Sequence, residues 1–249
     1  MIGITERGDA ALDYSWTSRL NTVSGAILIT KNADECFRNE VLRLHQAGKP
    51  LIVHATCTGW GKTWLEPNVP EYETQVKNIR ALVDAGFPEE RIVLRIDPII
   101  PHKQGFDRVR NVLSCIQDNG LTLRIRISIL DNYPHVRERF RQAGHIVLYN
   151  GAFQPSKEHM EMTKQVLAEM AHRFHVTFES CAEPQLACPE IIPTGCISGT
   201  DLRLLGLDAE SHRTNPQNRN GCLCLADKKE LLTRKNRCPH QCIYCYWRD

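Results

Sequence analysis

Long apolar stretches are missing from this sequence: nowhere do eighteen consecutive apolar residues occur, and no charged segment followed by an apolar run stands near its start. Neither a membrane-spanning helix nor a secretory leader is therefore expected, and the protein should be soluble and cytoplasmic, with no membrane partner. An excess of one charge is lacking too. With 31 Lys and Arg against 29 Asp and Glu, the net charge is +2, too mild to argue for nucleic acid or an anionic membrane. A bias appears only from Arg203 onward, where nine Lys or Arg stand against five Asp or Glu. That basic segment suits an anionic substrate or a solvated surface. No internal repeat or low-complexity tract is visible. Eleven cysteines in 249 residues are too sparse for a secreted disulfide scaffold, and in a reducing compartment clustered thiols read first as metal ligands or catalytic groups.

What is present is an alternation of short β-branched apolar runs with longer segments of helical period, the pattern of repeated β/α units on a parallel sheet. Strands are expected at Ile2 to Thr5, Ala26 to Thr30, Leu51 to Thr56, Arg91 to Ile96, Leu121 to Leu130 and His175 to Glu179, with a weaker one near Leu223 or Leu231. Helical spacing links Phe37, Val41 and Leu44, and again Val76, Ile79 and Val83. The clearest helix runs from Ser156, a candidate N-cap, to Phe174, with Thr163, Val166, Leu167, Met170 and Phe174 on its apolar face. Thr214 to Gly221 reads as a loop. At this length one domain is expected over residues 1–249, ending in a cysteine-rich segment from 181 to 249.

Polar residues gather where these strands end: Thr30-Lys31-Asn32, Thr56-Cys57-Thr58, Arg95 with Asp97, Ser128 with Asp131, and Glu179 to Glu183. In parallel β/α folds the carboxyl ends of the strands form the active-site face. Arg95 and Asp97 share a strand face by the period of two. Burying such a pair is costly unless a partner or ligand satisfies it, so the two serve either a ligand or a mutual salt bridge.

The C-terminal residues carry the strongest chemistry. Cys238, Cys242 and Cys245 stand in a C-x3-C-x2-C spacing with Tyr244 just before the third. Thiolates at such spacing wrap one loop around an iron–sulfur cluster or a zinc ion, for which His240 or an upstream cysteine would supply the fourth ligand. This pattern resembles the signature of the radical S-adenosylmethionine superfamily. The resemblance implies a [4Fe–4S] cluster on Cys238, Cys242 and Cys245, with the fourth iron open to the amino and carboxylate groups of S-adenosylmethionine. It implies reductive cleavage to a 5′-deoxyadenosyl radical and hydrogen abstraction from a substrate that the sequence does not name. Tyr244 would lie against the adenine, Lys31, Asn32 and Arg95 would meet the methionyl group, Asp97 would accept from the ribose, and Ser128 would join them. A flavodoxin or ferredoxin would donate the electron, and the site would be oxygen-sensitive.

That signature ordinarily follows the first strand, so its place here implies an α/β fold built as an incomplete or circularly permuted β/α (TIM-like) barrel. Residues Ala10 to Leu20 would replace the helix that normally follows the cluster loop, and the loop would still lie over the strand ends. The whole chain resembles the family known as domain of unknown function 1848, loosely akin to spore photoproduct lyase. The likeness is carried by Ile4 to Asp9, Thr30-Lys31-Asn32, Thr58 to Lys62, Leu65 to Pro70, Arg95 to Ile99, Ser180 to Glu183, Gly221 to Cys224 and the terminal C-P-H-x-C-x-Y-C-Y. The match is weakest from Asn132 to Pro155, which reads as an insertion.

Cys181, Cys196, Cys222 and Cys224 fall at positions the family pattern also marks, which implies a second, auxiliary [4Fe–4S] cluster; a zinc site with the same ligands and plain buried thiols are the alternatives. Cys57, at a strand end, is a candidate hydrogen-atom donor or a small buried hydrophobe. Cys36 and Cys115 read as core residues. Gly59 and Gly61 permit either close approach to a ligand or a tight turn, and Gly61-Lys62-Thr63 lacks the earlier glycine of a P-loop. The rival to an enzyme is a zinc or iron–sulfur module contacting nucleic acid through its basic end.

Overall fold

The structure is a computed structural model that describes residues 1–144, 148–209, 221–225, 228–233 and 238–248. Eight strands form one sheet: β1 (Ile2–Ile4), β2 (Gly25–Thr30), β3 (Leu51–Thr56), β4 (Ile92–Ile99), β5 (Arg124–Ile129), β6 (Phe178–Cys181), β7 (Ile191–Thr194) and β8 (Lys228–Glu230). Their order is β7-β6-β5-β4-β3-β2-β1-β8, and every neighbouring pair is parallel. Helices α1 (Glu35–Gln46), α2 (Tyr72–Asp84), α3 (Lys103–Asp118), α4 (Pro134–Gln142), α5 (Lys157–Phe174) and α6 (Gly199–Leu204) connect them, and a 3₁₀ helix over Tyr14–Thr22 joins β1 to β2. Among the described residues β7 and β8 are sheet edges and do not pair. No helix of the described residues is long and apolar enough to cross a membrane.

From β1 to β7 each strand lies beside its successor, and the near-universal right hand of parallel crossovers then sends the connecting helices to one face. The core shows this. Leu28, Val53, Leu94 and Ile127 pack with Phe37 and Val41 of α1, Val76 and Ile79 of α2, Val109 and Leu113 of α3, and Leu167 and Met170 of α5. Ile2, Ile4, Ile27, Ile29, Ile52 and Val93 point the other way, against Ile197 and against Leu202 and Leu205 of the α6 region. Alternation along each strand, the consequence of a pleated backbone, thus sorts one apolar sequence into two cores.

Further up this second face the residues become charged. Register pairs Arg95 with Arg126, and Arg126 with Glu179. Arg126 is 1% exposed and donates to Glu179 at 2.5 and 3.1 Å, to Asp201 at 3.3 Å and to the Cys196 carbonyl at 3.2 Å. Arg124 binds Glu179 at 3.0 Å and Asp201 at 2.8 Å. Burial opposes ionisation of Asp201, yet the Arg126 and Arg124 guanidiniums hold its carboxyl down to about 2. Buried His54 stands 3.4 Å from Arg126, and desolvation, then the guanidinium's charge, drives its pKa well below the usual imidazole range. Asp201 also closes a capping box with Ser198 at the start of α6, so one carboxylate both starts this helix and locks it onto the sheet.

Several sequence expectations meet corrections here. Strand β7 was not anticipated, because Pro193 falls inside it; a proline is tolerated there since β7 is an edge. Strands β5 and β6 begin three residues later than their apolar runs, β6 because His175 takes a left-handed conformation (φ 52°) that ends α5. β4 runs three residues beyond the expected end at Ile96, through Pro98: pairing with β5 shifts register after Ile96 and resumes at Ile99 opposite Ile129. Residues 132–155 contain α4, and α3 also lacked a sequence expectation. Cys36 is exposed on α1 and is no core residue, whereas Cys115 packs partly buried against the core. The expected loop from Thr214 lies outside the described residues except for Gly221.

Candidate active site

The C-terminal loop is fastened over the carboxyl ends of the strands by contacts from four directions. Cys242 and Tyr244 pack with Trp60, Leu65, Val69, Ile100 and Leu130, and with Val136 and Phe140 of α4. Ile243 donates its N–H to the Leu65 carbonyl at 2.9 Å, and Asn68 reaches the Pro239 carbonyl at 2.8 Å. Arg139 of α4 donates to the carbonyls of Ile243 at 2.9 Å, Cys245 at 2.5 Å and Arg248. His240, 3% exposed, meets Asp9 at 2.8 Å and the Asn68 carbonyl at 3.2 Å. Asp9 in turn accepts from Ala11 N at 2.9 Å, and from Thr30 Oγ1 and Lys31 N, both at 2.7 Å. Burial works against ionisation of Asp9, and His240 with the other donors nevertheless keeps its pKa below the ordinary carboxylate value.

Under this loop lies a cavity of about 910 Å³, a size typical of small-molecule sites. Cys238, Cys242 and Cys245 line it, as do Cys181, Cys196, Cys222 and Cys224, together with Lys31, Arg95, Asp97, Ser128 and Tyr244. Thus most residues singled out from the sequence meet in one space. Cys57 and Asn32 are not among its lining residues. Cys57 faces the helix-side core, its thiol 3.9 Å from the Tyr72 carbonyl and pushed far up in pKa by burial, which leaves it a small buried hydrophobe. Asn32 donates to Asp34 at 3.2 Å, beside the cap of α1. The loop of Gly59 and Gly61 is a tight turn: a Cβ on Gly61 would lie 1.9 Å from the Pro70 carbonyl oxygen, so the close approach is to its own chain.

Lys31 Nζ sits 2.8 Å from Glu66 and 2.6 Å from the Tyr244 hydroxyl, which also hydrogen-bonds Glu66. Burial alone would lower Lys31; the facing Glu66 carboxylate outweighs it and raises the lysine pKa. Burial, then Glu66, lifts Tyr244 well above a normal phenol. The Tyr244 hydroxyl is therefore committed to the protein, and only its ring and backbone remain for a ligand. Arg95 and Asp97 form the mutual salt bridge, and Ser128 donates to the same carboxylate. Arg95 Nε, however, is buried without a hydrogen-bond partner among the described residues.

Burial raises the Cys242 thiol to about 12 and Cys238 to about 11, which favours the neutral thiol at both. The second thiol set is in mutual contact. Cys181 Sγ lies 3.3 Å from Cys196 Sγ, and Cys196 N donates to Cys224 Sγ at 3.0 Å. Hydrogen bonding to the Cys224 thiol lowers Cys222 to about 6, and bonds from Cys181 and Cys196 lower Cys224 to about 7. Among the described residues no three His, Cys, Asp or Glu side chains stand at ready-made metal-ligand geometry.

Asp9, Glu66 and Arg139 had no assigned role from sequence. Asp9 and Glu66 fall inside stretches that carry the family likeness, which was the available signal; Arg139 lies in the tract of weakest match and had none. His240, a candidate zinc ligand from its spacing, is spent on Asp9 and Asn68.

No curated protein matches the chain. Among solved structures it is similar to one described as "a putative phosphonomutase from Burkholderia cenocepacia J2315", at 10% identity and a TM-score of 0.33 over 72% of this chain and 68% of that one, a likeness too slight to carry an argument. The model of the family "Domain of unknown function (DUF1848)" matches residues 13–247, and the chain belongs to that family.

Proposed function

We propose that this protein is a radical S-adenosylmethionine enzyme, and that its sheet is a curled, permuted β/α barrel. The observation that carries the reading is that Cys238, Cys242 and Cys245 open into the same cavity, at the carboxyl ends of parallel strands, as Arg95, Asp97 and Ser128. The donor set fits a cluster: three thiols on successive tight turns of one loop, with Gln241 N bonded to the Cys238 carbonyl and Cys245 N to the Cys242 carbonyl. No fourth cysteine of that loop competes for the remaining position. When bound, a [4Fe–4S] cluster at these thiolates supplies the electron that cleaves the sulfonium of S-adenosylmethionine to the radical that abstracts hydrogen from substrate.

The chain's own residues bind, orient and exclude water. Arg95, oriented by Asp97, has its Nε free to donate to a carboxylate such as that of the methionyl group. The Tyr244 ring is fixed by Lys31 and Glu66 at the wall, where it can face an adenine. Arg139 and the Asp9–His240 pair hold the loop shut over the strand ends. A cytoplasmic setting and a flavodoxin- or ferredoxin-type donor accompany this reading.

Anaerobic reconstitution with iron and sulfide, followed by dithionite and S-adenosylmethionine, tests it. The expected product is 5′-deoxyadenosine, absent from the C238A/C242A/C245A variant. A wild-type chain that forms none, or a variant that still does, would overturn the proposal.

A further inference from the structure

The four upstream thiols come from three separate segments that the topology brings to one place. Cys181 ends β6, Cys196 follows β7, and Cys222 and Cys224 precede β8. These segments approach as closely as backbone allows: a Cβ on Gly195 would lie 2.5 Å from Cys224 N and 2.6 Å from its Cα. Leu225 N then bonds the Ile197 carbonyl at 3.0 Å. The thiols therefore sit where the segments that follow β6 and β7 meet the one that precedes β8, beside the Arg126 side chain that holds the Cys196 carbonyl.

The Cys181–Cys196 separation favours one kind of metal, although the four thiols would have to shift to surround it. A single tetrahedral ion with metal–sulfur bonds of about 2.3 Å separates its thiolates by about 3.8 Å. A four-iron cube places iron and sulfide between each pair of thiolates and spreads them much further. Cys181 and Cys196 at 3.3 Å need to part by only a few tenths of an ångström to meet the first requirement. We propose that Cys181, Cys196, Cys222 and Cys224 bind one zinc-type divalent cation in all-thiolate tetrahedral coordination, and that this ion ties the β7 edge of the sheet to the segment leading into β8. Binding displaces whatever protons the four thiols still carry and involves no electron transfer. The site thereby acts as a staple across the gap that strand pairing leaves open, and it does not depend on the radical reading of the other three cysteines.

Metal analysis of the C238A/C242A/C245A variant, isolated anaerobically under reducing conditions, keeps the two sets apart. One zinc per chain is expected, with no acid-labile sulfide, and cobalt(II) put in its place should give the intense visible bands of a tetrahedral thiolate site. In the wild-type chain, mass mapping after alkylation should find these four thiols protected until a chelator is added, and this readout stands even if the variant does not fold. C181S/C224S should lose both zinc and protection. Several irons with matching sulfide in the triple variant would overturn the proposal, as would a Cys181–Cys196 disulfide in the reduced preparation, or four thiols that alkylate freely without chelator.

Discussion

Replacing Asp201 by Asn probes the charge network on the α6 side of the sheet. Asp201 is fully buried and accepts from Arg124 at 2.8 Å, Arg126 at 3.3 Å and Ser198 N at 2.8 Å. Asn keeps the shape and removes the charge, which leaves Glu179 as the remaining acid facing both guanidiniums. Breaking a buried ion pair costs about 3–5 kcal/mol, and because Glu179 persists the lower end applies. At about 2–4 °C per kcal/mol for a chain of this size, a loss of about 3 kcal/mol lowers Tm by about 6–12 °C.

The pKa of Asp201 gives an independent figure. A fall from 3.8 to about 2 corresponds to about 2 kcal/mol of stabilisation. Because the folded pKa lies below the unfolded one, that stabilisation is fully present above about pH 4 and is lost as pH falls towards about 2. Thermal melts followed by circular dichroism should therefore show a wide gap between wild type and D201N near neutral pH that narrows steadily below about pH 4. Indistinguishable melts at neutral pH, or a gap that stays constant into acid, would refute the assignment of Asp201 as an ionised anchor for Arg126.

Lys31→Met leaves Glu66, 1% exposed, without its cation, and should cost about 3 kcal/mol while speeding alkylation of the buried Cys242; an unchanged melt with Cys242 still protected counts against the Lys31–Glu66–Tyr244 lock. Gly61→Ala pushes a methyl to within 1.9 Å of the Pro70 carbonyl oxygen, whereas a Cβ at Gly48 meets nothing. The first should lower Tm distinctly more than Gly48→Ala, whose cost is limited to about 1–2 kcal/mol of left-handed backbone strain; equal melts would show that the Thr58 to Pro70 turn yields freely. Asp9→Asn weakens the link to His240 and should raise hydrogen exchange across residues 238–248, and full retention of amide protection there would mean that Arg139, the Leu65 and Asn68 contacts and the apolar packing hold the loop without Asp9.

Some of this was written locally in the chain. Apolar β-branched runs such as Leu51–Thr56 place the central strands because a parallel strand buried on both faces needs no partner-specific signal, and Ser156 caps α5 by a bond to its own neighbour, His159. The C-x3-C-x2-C spacing likewise marks a candidate ligand loop, because its three thiols lie within eight consecutive residues. Strand β7 escaped notice because a proline within a strand is acceptable only at an edge or a bulge, and both are properties of the sheet. Cys57, at a strand end, left a hydrogen-atom donor and a small buried hydrophobe both open, because whether a side chain faces the cavity or the helices depends on pleat parity and on the turn that follows. The meeting of Cys181, Cys196, Cys222 and Cys224, and the tie of Asp9 to His240 across 231 positions, were decided by the crossovers that bring strand ends together, since no local periodicity encodes a contact between segments so far apart.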